Sequence, residues 1–236
     1  MTEGSGEPVE DGRPAVQAVA AIAAVAALCG GLWWVSSGDG ASRPQGLSKP
    51  AACESEKPGR THGAADAKVV SGAQLCTALN RPDLAELLGT PGQIAKSASG
   101  GDGSMKLLGT DIATPSAQVQ FETYTVALAA TYDRLPVAGS AVHLGSGAQP
   151  RTVLDRPAVL YSSHTISIRF RVDGTDSSTG PGVPTRVLSV AQDAKDSGGS
   201  FEVTLFREDG TVPDEAVLLR VAEKVLPSVP RWVANG

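Results

Sequence analysis

Apolar residues are spaced along this chain in three rhythms, and each rhythm predicts a different kind of element. From Ala15 to Val35 they run almost unbroken: these 21 residues carry no charge and one polar side chain, Gln17. As a helix the run spans about 30 Å, the thickness of a bilayer's hydrocarbon core, which predicts a single transmembrane helix over 15–35. Eight of the 21 residues are alanine, nearly neutral toward lipid. The driving force therefore rests on the Val, Ile and Leu residues and on Trp33 and Trp34, whose rings at the end of the run suit the membrane–water interface.

The second rhythm has a period of two. In "TISIRFRV", Ile166, Ile168, Phe170 and Val172 alternate with Thr165, Ser167, Arg169 and Arg171, the pattern of a half-buried antiparallel strand with a basic outer face. Between Val119 and Tyr132 the alternation changes phase, with Val119 and Phe121 on one face and Tyr124, Val126, Leu128 and Tyr132 on the other. A period of two cannot switch faces without an irregularity, so a bulge or break is expected near Glu122–Thr123. Further strands are predicted at Ala158–Tyr161, Arg186–Gln192 and Phe201–Arg207. The stretches "DGTDSSTGPG" (173–182) and "DAKDSGG" (193–199) read as turns between them.

The third rhythm is helical. Ser71 with Gln74 forms a capping box ahead of Leu75 and Leu79. Pro82 suits the first position of a second short helix, with Asp83 and Glu86 at its positive end, Leu84, Leu87 and Leu88 on its apolar side and Gly89 stopping it. A last helix is predicted from about Pro213 to Leu226, with Thr211 and Asp214 as cap residues and Val217, Leu218, Val221 and Val225 as one stripe; Pro227 ends it. Helices at both ends of an antiparallel β-sheet define an α+β domain over 69–236, long enough for a proper core.

Composition fills in what lies between. Residues 36–68 hold one large aliphatic side chain, Leu47, among Ser, Gly, Pro, Ala and charges. Such a run cannot offset its own ordering entropy and reads as a disordered stalk, reaching on the order of 30 Å as a flexible coil. Ahead of the apolar run stands a short tail, 1–14, in which Glu3, Glu7, Glu10 and Asp11 outnumber Arg13.

Three fates compete for the apolar run. Lipidation at Cys29 needs small residues immediately before the cysteine, and Leu28 stands there. Cleavage near Ser36–Ser37–Gly38 would follow an apolar core longer than the usual roughly 7–15 residues. An uncut single-pass anchor fits the run better than either. Arg13 on one side and Arg43 and Lys49 on the other, taken literally under the positive-inside rule, slightly favour the large domain inside. Against that, the very short tail and the cysteine pair beyond the anchor favour an extracytoplasmic domain on a cell membrane.

The chemistry is sparse. Cys29 lies in the apolar run, while Cys53 and Cys76 stand 23 positions apart and invite a disulfide that would tie the end of the stalk to the first helix. Asp196–Ser197–Gly198–Gly199 looks like the nucleophile loop of chymotrypsin-type proteases. Lys195 departs from that pattern, and His62, His143 and His164 all lack the sequence setting of its general base. Asp173, Asp176, Asp193 and Asp196 populate two loops without the alternating spacing of a calcium loop. No P-loop and no Gly-x-Ser-x-Gly elbow is present, and no cofactor or metal is implied. A net charge of −5, with Arg169 and Arg171 as an isolated basic pair, argues against nucleic acid.

"VSGAQLCTALNRPDLAELLGTPGQIAKSASG", "RPAVLYSSHTISIRF" and "VAQDAKDSGGSFEVTLFREDGTVPDEAVLLRVAEKVLPSVPRW" resemble the membrane-anchored streptomycete proteins grouped as domain-of-unknown-function family 6215. The resemblance runs over roughly 68–232, with the same anchor and stalk before it. The Leu75–Leu79 helix is also similar, more weakly, to that of small actinobacterial lipoproteins with a helix-flanked antiparallel sheet. The family has no assigned activity, so the resemblance implies a location and no site. Two readings follow: a non-catalytic binding domain using the sheet face or the loops around Asp173 and Asp193, and a cell-envelope hydrolase assembled from residues such as Ser197, His164 and Asp193.

Overall fold

Ser71 caps the first helix, α1 (Gly72–Leu79), in the way its sequence predicts: its hydroxyl accepts from the Gln74 N–H at 3.2 Å, and Gln74 Oε1 accepts from the Ser71 N–H at 2.9 Å. The structure, a computed structural model, describes residues 49–55, 69–145, 147–170 and 177–232. The anchor expected at 15–35, with Cys29, Trp33 and Trp34, lies outside them. Among the described residues no helix is long and apolar enough to cross a membrane. The second helix, α2 (Leu84–Leu87), is a single turn; Pro82 lies in the turn ahead of it, and Asp83 pairs with Arg81. The last, α3 (Glu215–Val225), is capped by Asp214, whose carboxylate accepts from the Ala216 N–H at 2.8 Å. Pro213 therefore precedes the helix, and Thr211 donates to Asp209 instead of capping.

The strands are β1 (Glu54–Ser55), β2 (Ser97–Gly101), β3 (Ser104–Leu107), β4 (Thr110–Ala113), β5 (Ser116–Gln120), β6 (Tyr124–Thr131), β7 (Gln149–Val153), β8 (Arg156–Phe170), β9 (Ser177–Ala191) and β10 (Ser200–Arg207). Among the described residues eight form one sheet in the order β1-β2-β5-β6-β10-β9-β8-β7, and β3–β4 is a separate hairpin. Every ladder is antiparallel except β1–β2, which is parallel. The architecture is mostly antiparallel sheet with a few helices.

The break expected near Glu122–Thr123 is there, as a chain reversal between β5 and β6 closed by the Phe121 N–H donating to the Tyr124 carbonyl at 2.8 Å. Two sequence expectations change. The strands expected at 158–161 and 165–172 are one strand, β8, with a register irregularity between His164 and Ile166. The stretch 173–182 is a turn in part at most: residues 177–182 continue β9 and pair with β8, while Asp173 and Asp176 lie outside the described residues. Because among the described residues this end of β9 pairs with β8 alone, Ile168 stays 38% exposed rather than entering the core.

Helices cover one sheet face. α1 lies over β2 and β5, and α3 over β9 and β10. Leu75, Leu79, Leu218, Val221 and Val225 meet Val119, Val126, Leu128, Leu188, Val203 and Leu205 in the main core. The approach of α1 to β2 is backbone to backbone. A β-carbon on Gly72 would fall 2.3 Å from the Gly101 carbonyl oxygen, and one on Gly100 2.1 Å from that of Gly72. The Gly- and Ser-rich composition of β2 is what lets the helix sit there.

Residues 49–55, expected within the disordered stalk of 36–68, pack on the domain instead. The Ala51 N–H donates to the Ala95 carbonyl at 3.1 Å, Asn80 Nδ2 donates to the Ala51 carbonyl at 2.8 Å, and β1 pairs with β2. Cys53 and Cys76 are joined in a disulfide with their Cα atoms 6.0 Å apart. A strap thus lies along the β2 edge, pinned to α1.

Candidate functional site

Alternation in the central strands builds a second sheet face opposite the helices. Phe201, Val203 and Leu205 turn into the main core, so Glu202 and Thr204 turn away from it. Cross-strand register then places Ala129 and Ser189 beside Glu202, and Ala127 and Val187 beside Thr204. Gln118 and Ser99 extend the row across β5 and β2. Ala127, Ala129, Ser189, Thr204, Gln118 and Ser99 are all half-buried. The floor of this face is made of small and hydroxyl- or amide-bearing side chains.

One margin of the face is covered. The segment between β6 and β7, including a short 3-10 helix (Ala138–Val142), packs Val137, Ala141 and Leu144 on Val159, Tyr161, Val187 and Ala191 as a small second core. Tyr161 reaches out of this cluster and donates to Glu202 Oε2 at 2.8 Å. Burial raises the Glu202 carboxyl above its ordinary value, while hydrogen bonds from Tyr161 and Thr204 pull the other way. Tyr161 is raised well above the usual phenol value, first by burial and then by the neighbouring carboxylate. A second carboxylate lies at the end of β10, where Glu208 Oε1 accepts from Thr125 at 2.6 Å and from Gln120 at 3.4 Å. Chemically, the face offers hydroxyl and amide groups around a carboxyl that takes up a proton more readily than a free one.

The serine loop is built for a different purpose. Asp193 accepts from the Lys195 N–H at 2.8 Å, the Ser197 N–H at 3.2 Å and the Ser197 hydroxyl, and that hydroxyl is the chief cause of its lowered pKa. Asp196 accepts from the Val137 and Ala138 N–H groups at 2.8 and 2.9 Å, which holds the start of the 3-10 helix. Gly198 and Gly199 have φ of +121° and +81° and pass so close to Arg134 and Thr131 that a β-carbon would collide with backbone. Asp193 closes the loop on itself, and Asp196 ties it to the segment that starts the 3-10 helix.

The structure brings Ser197 and Asp193 together and keeps His164 apart from them. His164 pairs with Pro184 on β8–β9, whereas the serine loop begins just past Ala191. Seven residues of extended strand separate these positions, about 23 Å. His143 is exposed at the end of the 3-10 helix, and His62 lies outside the described residues. Among the described residues no three His, Cys, Asp or Glu side chains gather into a metal-sized group. Arg169 lies opposite Ser178 on the β8–β9 ladder, and Arg171 is outside the described residues.

Sequence reasoning missed Glu202 and Tyr161. The alternation of "SFEVTLFR" already turns Glu202 and Thr204 away from the core. The partner is harder to read, because Tyr161 reaches Glu202 across the intervening β9.

A helix-backed, largely antiparallel sheet, fastened to its N-terminal strap by a disulfide and presenting a polar second face, defines an α+β-like domain. The chain belongs to domain-of-unknown-function family 6215, whose model, a family of unknown function, matches residues 10–147, more than half of its length. No curated protein and no solved structure matches it. The matched span starts ahead of the apolar run and ends just before β7, so most of the C-terminal part of the resemblance lies beyond it. In the sheet order, β1, β2, β5 and β6 come from the matched span and β10, β9, β8 and β7 from the rest.

Proposed function

We propose that this protein is a membrane-anchored, extracytoplasmic binding domain without catalytic activity, held at the cell membrane through residues 15–35 and recognising a protein or cell-envelope ligand on the second sheet face. The observation that carries this reading is the half-buried Glu202 carboxyl, bonded by Tyr161 and set among Ala129, Ser189 and Thr204. Small neighbours leave room above a polar floor, and a carboxyl there can accept or donate a hydrogen bond. The uncharged length of the run from Ala15 to Val35 supports the anchor.

The alternative is a cell-envelope hydrolase using Ser197, Asp193 and His164. Its weakness is geometric: the hydroxyl and carboxylate meet, but the base that should activate them stands about 23 Å along β9.

A photo-reactive residue placed at Gln118 in the full-length protein tests the binding reading in intact cells. It should yield a discrete adduct that is lost on adding Glu202→Ala, whereas the same residue at Glu223, exposed on α3, should yield none. Equal capture from both positions, or capture indifferent to Glu202, rejects the face as the recognition surface.

A further inference from the structure

β8 and β9 run on together after their neighbours stop. β7 accompanies β8 from Arg156 to Leu160, and β10 accompanies β9 only as far as Thr185. Beyond these points the two strands form a ribbon, and among the described residues nothing else pairs with it. Its two edges differ. The β9 edge carries Pro181 and Pro184, which have no N–H to offer and blunt it against further pairing. The β8 edge, Tyr161–Phe170, contains neither proline nor lysine and is rich in β-branched residues. A long edge of this kind is a template for another strand.

We infer that the outer edge of β8 pairs with the same edge of a second copy of the chain, antiparallel about a two-fold axis at Ile168. The sequence around that position is self-complementary. The axis places Ile168 opposite Ile168, Ile166 opposite position 170 and Ser167 opposite position 169 in register, so no two like charges stand directly across from each other. Moving the axis one residue, to Arg169, would oppose two arginines. Pairing at Ile168 sets two residues, each 38% exposed in one copy, side by side and closes as an isologous dimer rather than an open array. The dimer does not depend on how the second sheet face is used, since it forms at the ribbon.

Two substitutions in the full-length protein test this. Residues directly opposite one another in an antiparallel pair have Cα atoms about 4.5–5.5 Å apart, within disulfide range. Under mild oxidation Ile168→Cys should give a covalent dimer whose peptide map shows a cross-link through position 168, while Thr110→Cys, exposed on β4, should not. In equilibrium sedimentation the wild type should dimerise, and Ile168→Lys should raise the dissociation constant by on the order of tenfold or more by opposing two ammonium groups. A wild type that sediments as a monomer throughout overturns the inference, as does a dimer indifferent to Ile168→Lys. Cross-linking at position 168 no faster than at 110 does the same, and a foreign strand at this edge would show itself by leaving the purified chain monomeric.

Discussion

Burial raises Glu202, and among the described residues its hydrogen bonds come from Tyr161 and Thr204 rather than from a base, so its ionisation bears on stability. Between the ordinary glutamate value and the raised one, the folded protein binds more protons than the unfolded chain, so stability falls as pH rises through that window. Glu202→Gln keeps an acceptor for Tyr161 and removes the charge. The variant should melt above the wild type at neutral pH, with the gap closing below about pH 4; thermal melts across that range check it, and a wild type that melts higher at neutral pH contradicts it. In the serine loop, Asp196→Ala forfeits two backbone hydrogen bonds and should cost about 1–2 kcal/mol. Exposed Ser197→Ala should cost only about 0.5 kcal/mol, and chemical denaturation of the two variants should preserve that order. The loop's "DSGG" was legible as a turn in the sequence. That Asp196 holds the start of the 3-10 helix was not, because Val137 and Ala138 lie some sixty positions away.

At the level of elements, legibility tracked local chemistry. The capping box of α1 and the stripe of α3 are written within a few consecutive residues, so both helices were readable to within about two positions. "SASGG" shows no apolar alternation, and β2 stayed hidden because its fitness lies in what it lacks: side chains between itself and α1. Gly100→Ala tests that account. A β-carbon 2.1 Å from the Gly72 carbonyl oxygen cannot be relieved by a rotamer change, so the helix must lift, at a cost on the order of 3 kcal/mol. Urea unfolding should show that loss, whereas Gly139→Ala, with nothing within 4 Å, should be nearly neutral. The "SSTGPG" stretch was misread for a related reason. Gly and Pro usually punctuate turns, but on a ribbon edge with one neighbour they are tolerated in a strand.

Across the whole molecule, the sheet joins two stretches of chain along the β6–β10 ladder. The span matched by the family model supplies one side and the remainder the other. Neither half buries its apolar face alone, since Leu128 and Val203 pair across that seam in one core. The sequence showed that helices bracket a sheet, but strand order depends on long-range pairing that no local pattern records.

The bridge between Cys53 and Cys76 also decides how the domain answers to force. A pull transmitted along the N-terminal segment meets the hydrogen bonds of Ala51 and then, at Cys53, passes through the bond into α1, so the chain between the two cysteines carries no load. If the domain is stretched from its two ends, that loop stays hidden for as long as the bond holds. The 23 positions it spans, at about 3.5 Å each and less the 6.0 Å already bridged, amount to about 75 Å of withheld length. Single-molecule pulling should therefore give an unfolded extension about 75 Å longer in reductant than without it, and an extension that ignores reductant means the two cysteines are not bonded.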